Sequence, residues 1–126
     1  MPKISKNTAP DVTDAGPALD RGGCLDDYAV NFVTVRQGHS LAPMLAGLPG
    51  DACPCPHWGY LLAGQITVTY ADREEIIEAG DAFYLPPGHV PSAADGTEFI
   101  QFSPAAQLAE VTAAMMANAQ RLAPEA

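Results

Sequence analysis

The sequence predicts an all-β domain, either a sandwich or a barrel, followed by one C-terminal helix. Short runs of β-branched and aromatic residues recur between glycine, proline and aspartate turns over residues 28–102, which is typical of such folds. Apolar and polar residues alternate along 59–70, the pattern of a half-buried strand. After Ser103 the apolar residues recur every three or four positions, as on an amphipathic helix. The chain of 126 residues has the size of one domain.

The first part of the chain is predicted to be a flexible N-terminal arm over residues 1–24. This stretch contains three prolines, scattered charges and almost no apolar periodicity. The domain proper then spans residues 25–126, with its first strand at 28–36. The stretch 38–55 is rich in glycine and proline and is predicted to be a long loop, and such loops are usually functional or disordered.

The later strands are separated by clear turn signals. The strand 59–70 ends at a polar break, which predicts a hairpin into the strand 75–78. A further strand at 82–85 is stopped by a Pro-Pro-Gly sequence, and the last is predicted at 98–102. A helix over 104–121 follows, with Ser103 as its N-cap.

The charge of the chain excludes some partners. Fifteen acidic residues against six basic ones give a net charge of −9, and the stretch 25–111 contains only Arg36 and Arg73 as fixed positive charges. We therefore expect neither nucleic acid nor an anionic membrane as a partner. Three cysteines without a disulfide pattern, together with an N-terminus lacking an apolar export region, predict a cytoplasmic protein.

Two segments, 47–64 and 80–91, resemble the two sequence motifs of the cupin superfamily. The resemblance covers roughly residues 28–104, and the chain looks like the small single-domain cupins of unassigned function. It implies an antiparallel β-barrel of the jelly-roll type, with both motifs at the barrel mouth. It also implies a homodimer, because small cupins usually pair.

The helix supplies a second reason to expect a homodimer. Its apolar face needs a surface to bury against, which is either a second subunit or the barrel of the same chain. That face consists of Leu108, Val111, Met115 and Leu122.

The first motif departs from the family pattern of a His-x-His pair, a glutamate and a final glycine. Six residues separate His57 from Gly64, which places His57 at the family's glutamate position. Counting forward from Gly47 instead places Cys53 and Cys55 where the family has its His-x-His pair. The two counts disagree, so this motif is shortened or rebuilt.

The second motif matches the family pattern in the residues of its turn but differs from it at the position of the metal ligand. Gly80, Pro86 and Gly88 have the family spacing, but Pro91 occupies the position of the last metal-binding histidine, and the nearby imidazole is His89. Two thiols and two imidazoles suit tetrahedral zinc or an iron site with soft ligands. The candidate metal ligands are Cys53, Cys55, His57 and His89. The alternative is a metal-free pocket in which the cysteines are small buried apolar residues or redox-active thiols.

A small-molecule pocket is predicted at the same place. Tyr60 and Tyr84 flank the two motifs, and aromatic side chains with a polar tip are common in ligand pockets, as they are in any small β core. The candidate ligand-binding residues are therefore His57, Tyr60, Tyr84 and His89. An imidazole at position 57 can serve as a metal ligand, a general base or a hydrogen-bonded core residue.

Three functions remain open from the sequence. The first is a small-molecule-binding cupin without catalysis, with its ligand or metal held in the barrel mouth. The second is a metal-dependent cupin enzyme of the dioxygenase, isomerase or decarboxylase type, which uses the non-standard Cys/His site. The third is a structural or stress-related dimeric module. The sequence names no substrate, because a fold hosts many functions.

Overall fold

The computed structural model describes residues 3–122. These residues form ten strands, two short 3-10 helices and one α-helix. The strands are β1 (Asp11–Asp14), β2 (Ala18–Leu25), β3 (Tyr28–Val35), β4 (His39–Ser40), β5 (His57–Ala63), β6 (Gln65–Thr69), β7 (Glu74–Glu78), β8 (Ala82–Leu85), β9 (Val90–Ala93) and β10 (Glu98–Pro104). The 3-10 helices are Ala42–Leu45 and Pro49–Asp51, and the α-helix is α1 (Ala105–Leu122).

The strands form two antiparallel sheets. The six-stranded sheet has the order β1-β2-β3-β10-β5-β8, and the four-stranded sheet has the order β4-β9-β6-β7. The prediction of a mostly β, antiparallel domain with one C-terminal helix is confirmed. Pairing that would join the two sheets into the predicted closed barrel is not seen within residues 3–122.

The flexible N-terminal arm predicted over 1–24 is not confirmed. Residues 11–14 and 18–25 are strands, and β2 pairs with β3 along its whole length. β2 contains glycines and charged residues, which are rare in strands, so its composition did not predict a strand. Backbone hydrogen bonding holds it in the sheet. Residues 1–2 of that arm, and 123–126 of the predicted domain, lie outside the described residues.

The single strand predicted over 59–70 is corrected to two strands in different sheets. The break is at Gly64, whose φ of 83° favours glycine, and a Cβ there would overlap Thr97. The buried positions change from odd numbers, at His57 and Leu61, to even numbers, at Ile66 and Val68, and the run of apolar residues at 60–63 hides this shift in the sequence. β4 and β9 were also missed. They lie on the loop predicted over 38–55 and after the Pro-Pro-Gly turn.

The core consists of two clusters of buried side chains. The sheet cluster lies between the sheets and comprises Leu61, Ile66, Val68, Tyr70, Ile77, Phe83 and Leu85. The helix cluster comprises Leu45, Cys53, Cys55 and Val111, with Leu41, Leu48, Val90, Leu108 and Met115 packed around them. The second cluster joins α1 to the loop between β4 and β5, so the helix holds the region of the first motif in place.

The helix predicted over 104–121 is confirmed as α1. Leu108, Val111 and Met115 pack into the helix cluster, whereas Leu122 is half exposed. Most of the apolar face therefore packs on its own domain, and the homodimer stays a prediction that this face no longer supports. Among the described residues, no helix has both the length and the apolar character that a membrane crossing requires.

We expect Val111→Ala to lower the free energy of unfolding by about 2 kcal/mol, because Val111 is 3% exposed and its methyl groups fill the helix cluster. Met116→Ala is the control, since Met116 is 62% exposed on the same helix. Urea denaturation of both variants measures the difference. Equal losses, or no loss at Val111, would show that α1 is not packed as described.

Candidate metal centre

His57 begins β5 and points into the domain. Side chains alternate along this strand, so His57 and Leu61 are buried while Trp58 and Tyr60 are exposed. The Nδ1 atom of His57 lies 2.6 Å from the hydroxyl of Ser103 in β10. With the proton on Nδ1 donated to that hydroxyl, Nε2 presents its lone pair to the interior.

Cys53 and His89 are held against each other by their backbones. The amide of Cys53 donates to the carbonyl of His89 at 2.9 Å, and the amide of Gly88 donates to the carbonyl of Cys53 at 2.8 Å. Gly88 has a φ of 99°, which a residue with a side chain rarely adopts. The ring of His89 donates from Nδ1 to the carbonyl of Pro86 at 2.7 Å, so its Nε2 is also free.

These three side chains form a convergent group, which we call the Cys/His group. Cys53, His57 and His89 are all buried, and their ligand atoms lie within 4.8 Å of one another. The Sγ of Cys53 is 3.6 Å from the Nε2 of His57, and the two imidazole rings are 4.9 Å apart at their centroids. Tetrahedral zinc holds its ligand atoms about 3.3–3.7 Å apart, so the Cys53–His57 pair already has the required separation.

Burial keeps the group uncharged. It lowers the pKa of His57 to about 3, with a further contribution from the neighbouring His89, and it lowers the pKa of His89 as well. Both rings are therefore neutral at physiological pH, the form that binds a metal ion. Burial also raises the pKa of the Cys53 thiol. A bound cation would stabilise the thiolate and so offset the free-energy cost of ionising a buried thiol.

Cys53, His57 and Ser103 also lie in the order nucleophile, base and orienting residue of a covalent catalyst. Such a catalyst needs a thiol pKa that is lowered and an imidazole that accepts the proton. Here burial shifts both pKa values in the opposite direction. The electrostatics therefore favour metal ligation over nucleophilic catalysis.

Cys55 lies outside the Cys/His group. It is fully buried in the helix cluster, its Sγ is 3.5 Å from the carbonyl of Pro56, and burial raises the pKa of its thiol to about 11. The structure thus brings together three of the four predicted metal ligands. Positions 53, 55 and 57 would point to one side only on a regular strand. The strand β5 begins at His57, so Cys53 and Cys55 precede it.

Tyr60 and Tyr84 lie on the opposite face of the six-stranded sheet from His57. They are 42% and 51% exposed, and Trp58 stacks on Tyr84 with ring centroids 5.2 Å apart. Trp58 and Tyr60 also line a shallow groove of about 510 Å³ on this outer face. The predicted ligand-binding set is therefore divided by the sheet, with only His57 and His89 brought together on the inner side.

Ser103 contacts the Cys/His group, which the sequence analysis did not predict. It was predicted as a helix N-cap, but it lies in β10 and its hydroxyl contacts His57. Side chains alternate along a strand, so had β10 been extended to this position, an outward Phe102 would have predicted an inward Ser103. In the structure Phe102 is 40% exposed and Ser103 is buried.

We expect Ser103→Ala to weaken zinc binding about 10- to 100-fold, since partners that orient a ligating histidine usually contribute that much. Ser92→Ala serves as a control on β9, where the hydroxyl contacts the carbonyl of His39 instead. Competition against a chromophoric chelator measures both affinities. An unchanged affinity in Ser103→Ala would mean that the hydroxyl does not position the ring.

Comparisons with known proteins identify the fold. No protein-family model matches the chain, and no curated protein matches it. An RmlC-like cupin from Shewanella frigidimarina is 19% identical, with a TM-score of 0.53, over 75% of this chain and 83% of that one. A protein of unknown function from Rhizobium leguminosarum is 17% identical, with a TM-score of 0.59, over 82% and 95% of the two chains. KdgF from Halomonas sp. is 21% identical, with a TM-score of 0.50, over 75% and 86%.

These likenesses agree with the architecture of two antiparallel sheets. Sequence identity is below 25% in each case, so the agreement concerns the backbone arrangement. The chain has the cupin fold.

Proposed function

We propose that this chain is a small-molecule-binding cupin whose ligand meets a transition-metal ion held by Cys53, His57 and His89. The observation that carries the proposal is the convergence of three buried, uncharged nitrogen and sulfur donors within 4.8 Å. Buried polar groups normally satisfy one another or a bound species. A metal ion would satisfy all three donors at once.

The donor set favours zinc, with iron as the second choice. One thiolate and two imidazoles match the borderline-soft character of zinc, whereas an all-oxygen set would favour magnesium or calcium. His57 and His89 each have a hydrogen-bonded Nδ1, which fixes their rings with Nε2 toward the group. The chain thus supplies both the ligands and the partners that orient them.

A second candidate function is a metal-dependent enzyme. Structural zinc sites usually take four protein ligands, whereas catalytic sites take three and keep one position for water or substrate. Cys55 lies outside the group, so three ligands are supplied. This count supports either a bound ligand or a substrate at the fourth position, and the reaction type stays open among the dioxygenase, isomerase and decarboxylase classes.

Titration of the metal-free protein with zinc, in competition with a chromophoric chelator at pH 7.5, tests the proposal. We expect one equivalent to bind in the wild type and in Cys55→Ala, but not in Cys53→Ala. The two cysteines make a matched pair, since both are buried in the same cluster. Absence of stoichiometric binding in the wild type, or full binding in Cys53→Ala, would refute the proposed site.

A further inference from the structure

Large apolar and aromatic side chains are exposed on the outer face of the six-stranded sheet, the face opposite the Cys/His group. Strand alternation and the pairing register place the outward residues of β3, β10, β5 and β8 side by side. Six of these side chains are between 40% and 51% exposed. We call them the outer patch: Tyr28, Trp58, Tyr60, Leu62, Tyr84 and Phe102.

A ridge and a groove lie next to each other on this face. The ridge is formed by Trp58 in β5, which stacks on Tyr84 in β8 with ring centroids 5.2 Å apart, and by Tyr60 beside them. The groove lies over β3 and β10, between this ridge and Ile4 of the segment before β1. A Cβ built at Gly23 would lie 2.9 Å from the Cδ1 of Ile4, so this segment packs directly on the sheet. The floor of the groove consists of Val30, Phe32, Ile100 and Phe102.

The area of the outer patch is large enough to form most of a protein interface. A fully covered aromatic side chain buries about 150–250 Å², so six large side chains at these exposures offer on the order of 500 Å². Exposed apolar patches of that size commonly mark interaction sites. A standard interface buries about 800 Å² on each partner, so the patch supplies more than half of it.

The charges of this face allow two copies of the chain to meet. Copies with a net charge of −9 repel each other, so contact is favoured where negative charge is compensated. Of the acidic residues in the strands of this sheet, Asp14 and Glu98 project to the outer face. Each forms an ion pair, Asp14 with Arg36 at 2.7 Å and Glu98 with Lys6 at 2.9 Å. Within the described strands, this face therefore carries no unpaired carboxylate.

We propose that the outer face of the six-stranded sheet is the interface of a homodimer, in which the ridge of each copy packs into the groove of the other. A twofold axis between the copies, parallel to β5 and β10, brings each ridge opposite the partner's groove, so one surface serves both copies. Trp58 and Tyr84 lie at the centre of this interface, and tryptophan and tyrosine are the side chains that contribute most to affinity there. This surface is separate from the apolar face of α1. It is also separate from the metal site, because β5 turns His57 inward.

Sedimentation equilibrium of the full chain at micromolar concentrations tests the interface, with a reducing agent to exclude disulfide links through the exposed Cys24. We expect a dimer for the wild type. Tyr84→Lys should weaken self-association at least about 30-fold, because it places a charge at the centre of the contact. Ile76→Lys is the matched control, since Ile76 is 56% exposed on β7 of the other sheet. It makes the same change of charge and should alter the dissociation constant less than about twofold.

The fluorescence of Trp58 gives a second measurement that needs no variant, because Trp58 is the single tryptophan of the chain. Dilution through the dissociation range should shift its emission to longer wavelength as water reaches the ring. Tyr84 lies on the edge strand β8, where lysine is well tolerated, so we expect Tyr84→Lys to fold, and circular dichroism verifies this. If it does not fold, the emission shift decides alone. A monomeric wild type, a dimer that dissociates without the shift, or equal effects of the two substitutions would overturn the inference.

Discussion

Replacing His57 by alanine is expected to weaken zinc binding at least about 100-fold. The side chain of His57 lies beside those of both other members of the Cys/His group, with its Nε2 3.6 Å from the Sγ of Cys53 and its ring centroid 4.9 Å from that of His89. Its removal leaves two donors, and removing even a partner that only orients a ligand commonly costs 10- to 100-fold. Chelator competition at pH 7.5 measures the loss.

His39→Ala is the matched control for this experiment. His39 lies in β4 outside the Cys/His group, and its Nδ1 contacts the carbonyl of Gln37 at 2.8 Å. We expect its substitution to leave zinc affinity within about twofold of the wild type. Similar losses in both variants would point to binding by histidines in general, and no loss in either would place the ion elsewhere.

Gly64→Ala is expected to destabilise the fold by about 2–5 kcal/mol. The left-handed backbone at this position costs a residue with a side chain about 1–2 kcal/mol. The added methyl would also overlap Thr97, and overpacking adds about 1–3 kcal/mol. Thr97 cannot readily move, because it is fully buried and its hydroxyl donates to the carbonyl of Ala94 at 2.7 Å.

Gly80→Ala separates the two causes. Gly80 has a φ of 94°, close to that of Gly64, but a Cβ built there meets no atom within 4 Å. Its substitution should therefore cost only the conformational part, about 1–2 kcal/mol. Thermal or urea denaturation compares the two. Equal losses of stability would indicate that position 64 requires glycine only for its backbone conformation, and that contact with Thr97 adds no cost.

The resemblance to the two cupin motifs implied which parts of the chain meet. Gly80, Pro86 and Gly88 predicted the turn that holds His89, and Gly64 located His57 by its distance along the strand. The position of His57 came from the family spacing, whereas the turn also has a local backbone reason, because Gly88 has a φ of 99°. The meeting of His57 with His89 at 4.9 Å follows from that turn.

Other features depended on information that spacing does not carry. Cys55 is aimed into the helix cluster because the chain before β5 is not a regular strand. Tyr60 lies an odd number of positions from His57, so strand alternation places it on the other face, a rule that the sequence analysis did not apply. The two strands of the predicted arm are held by backbone hydrogen bonds, which leave no apolar pattern in the sequence.

X-ray absorption spectroscopy of the zinc-loaded protein tests the Cys/His group most directly. We expect one sulfur at about 2.3 Å and two imidazole nitrogens at about 2.0–2.1 Å, with one further light atom completing the tetrahedron. The sulfur signal should disappear in Cys53→Ala and persist in Cys55→Ala. Two sulfur ligands would indicate that Cys55 also binds the ion. A coordination shell without sulfur, or with a single imidazole nitrogen, would contradict ligation by Cys53, His57 and His89.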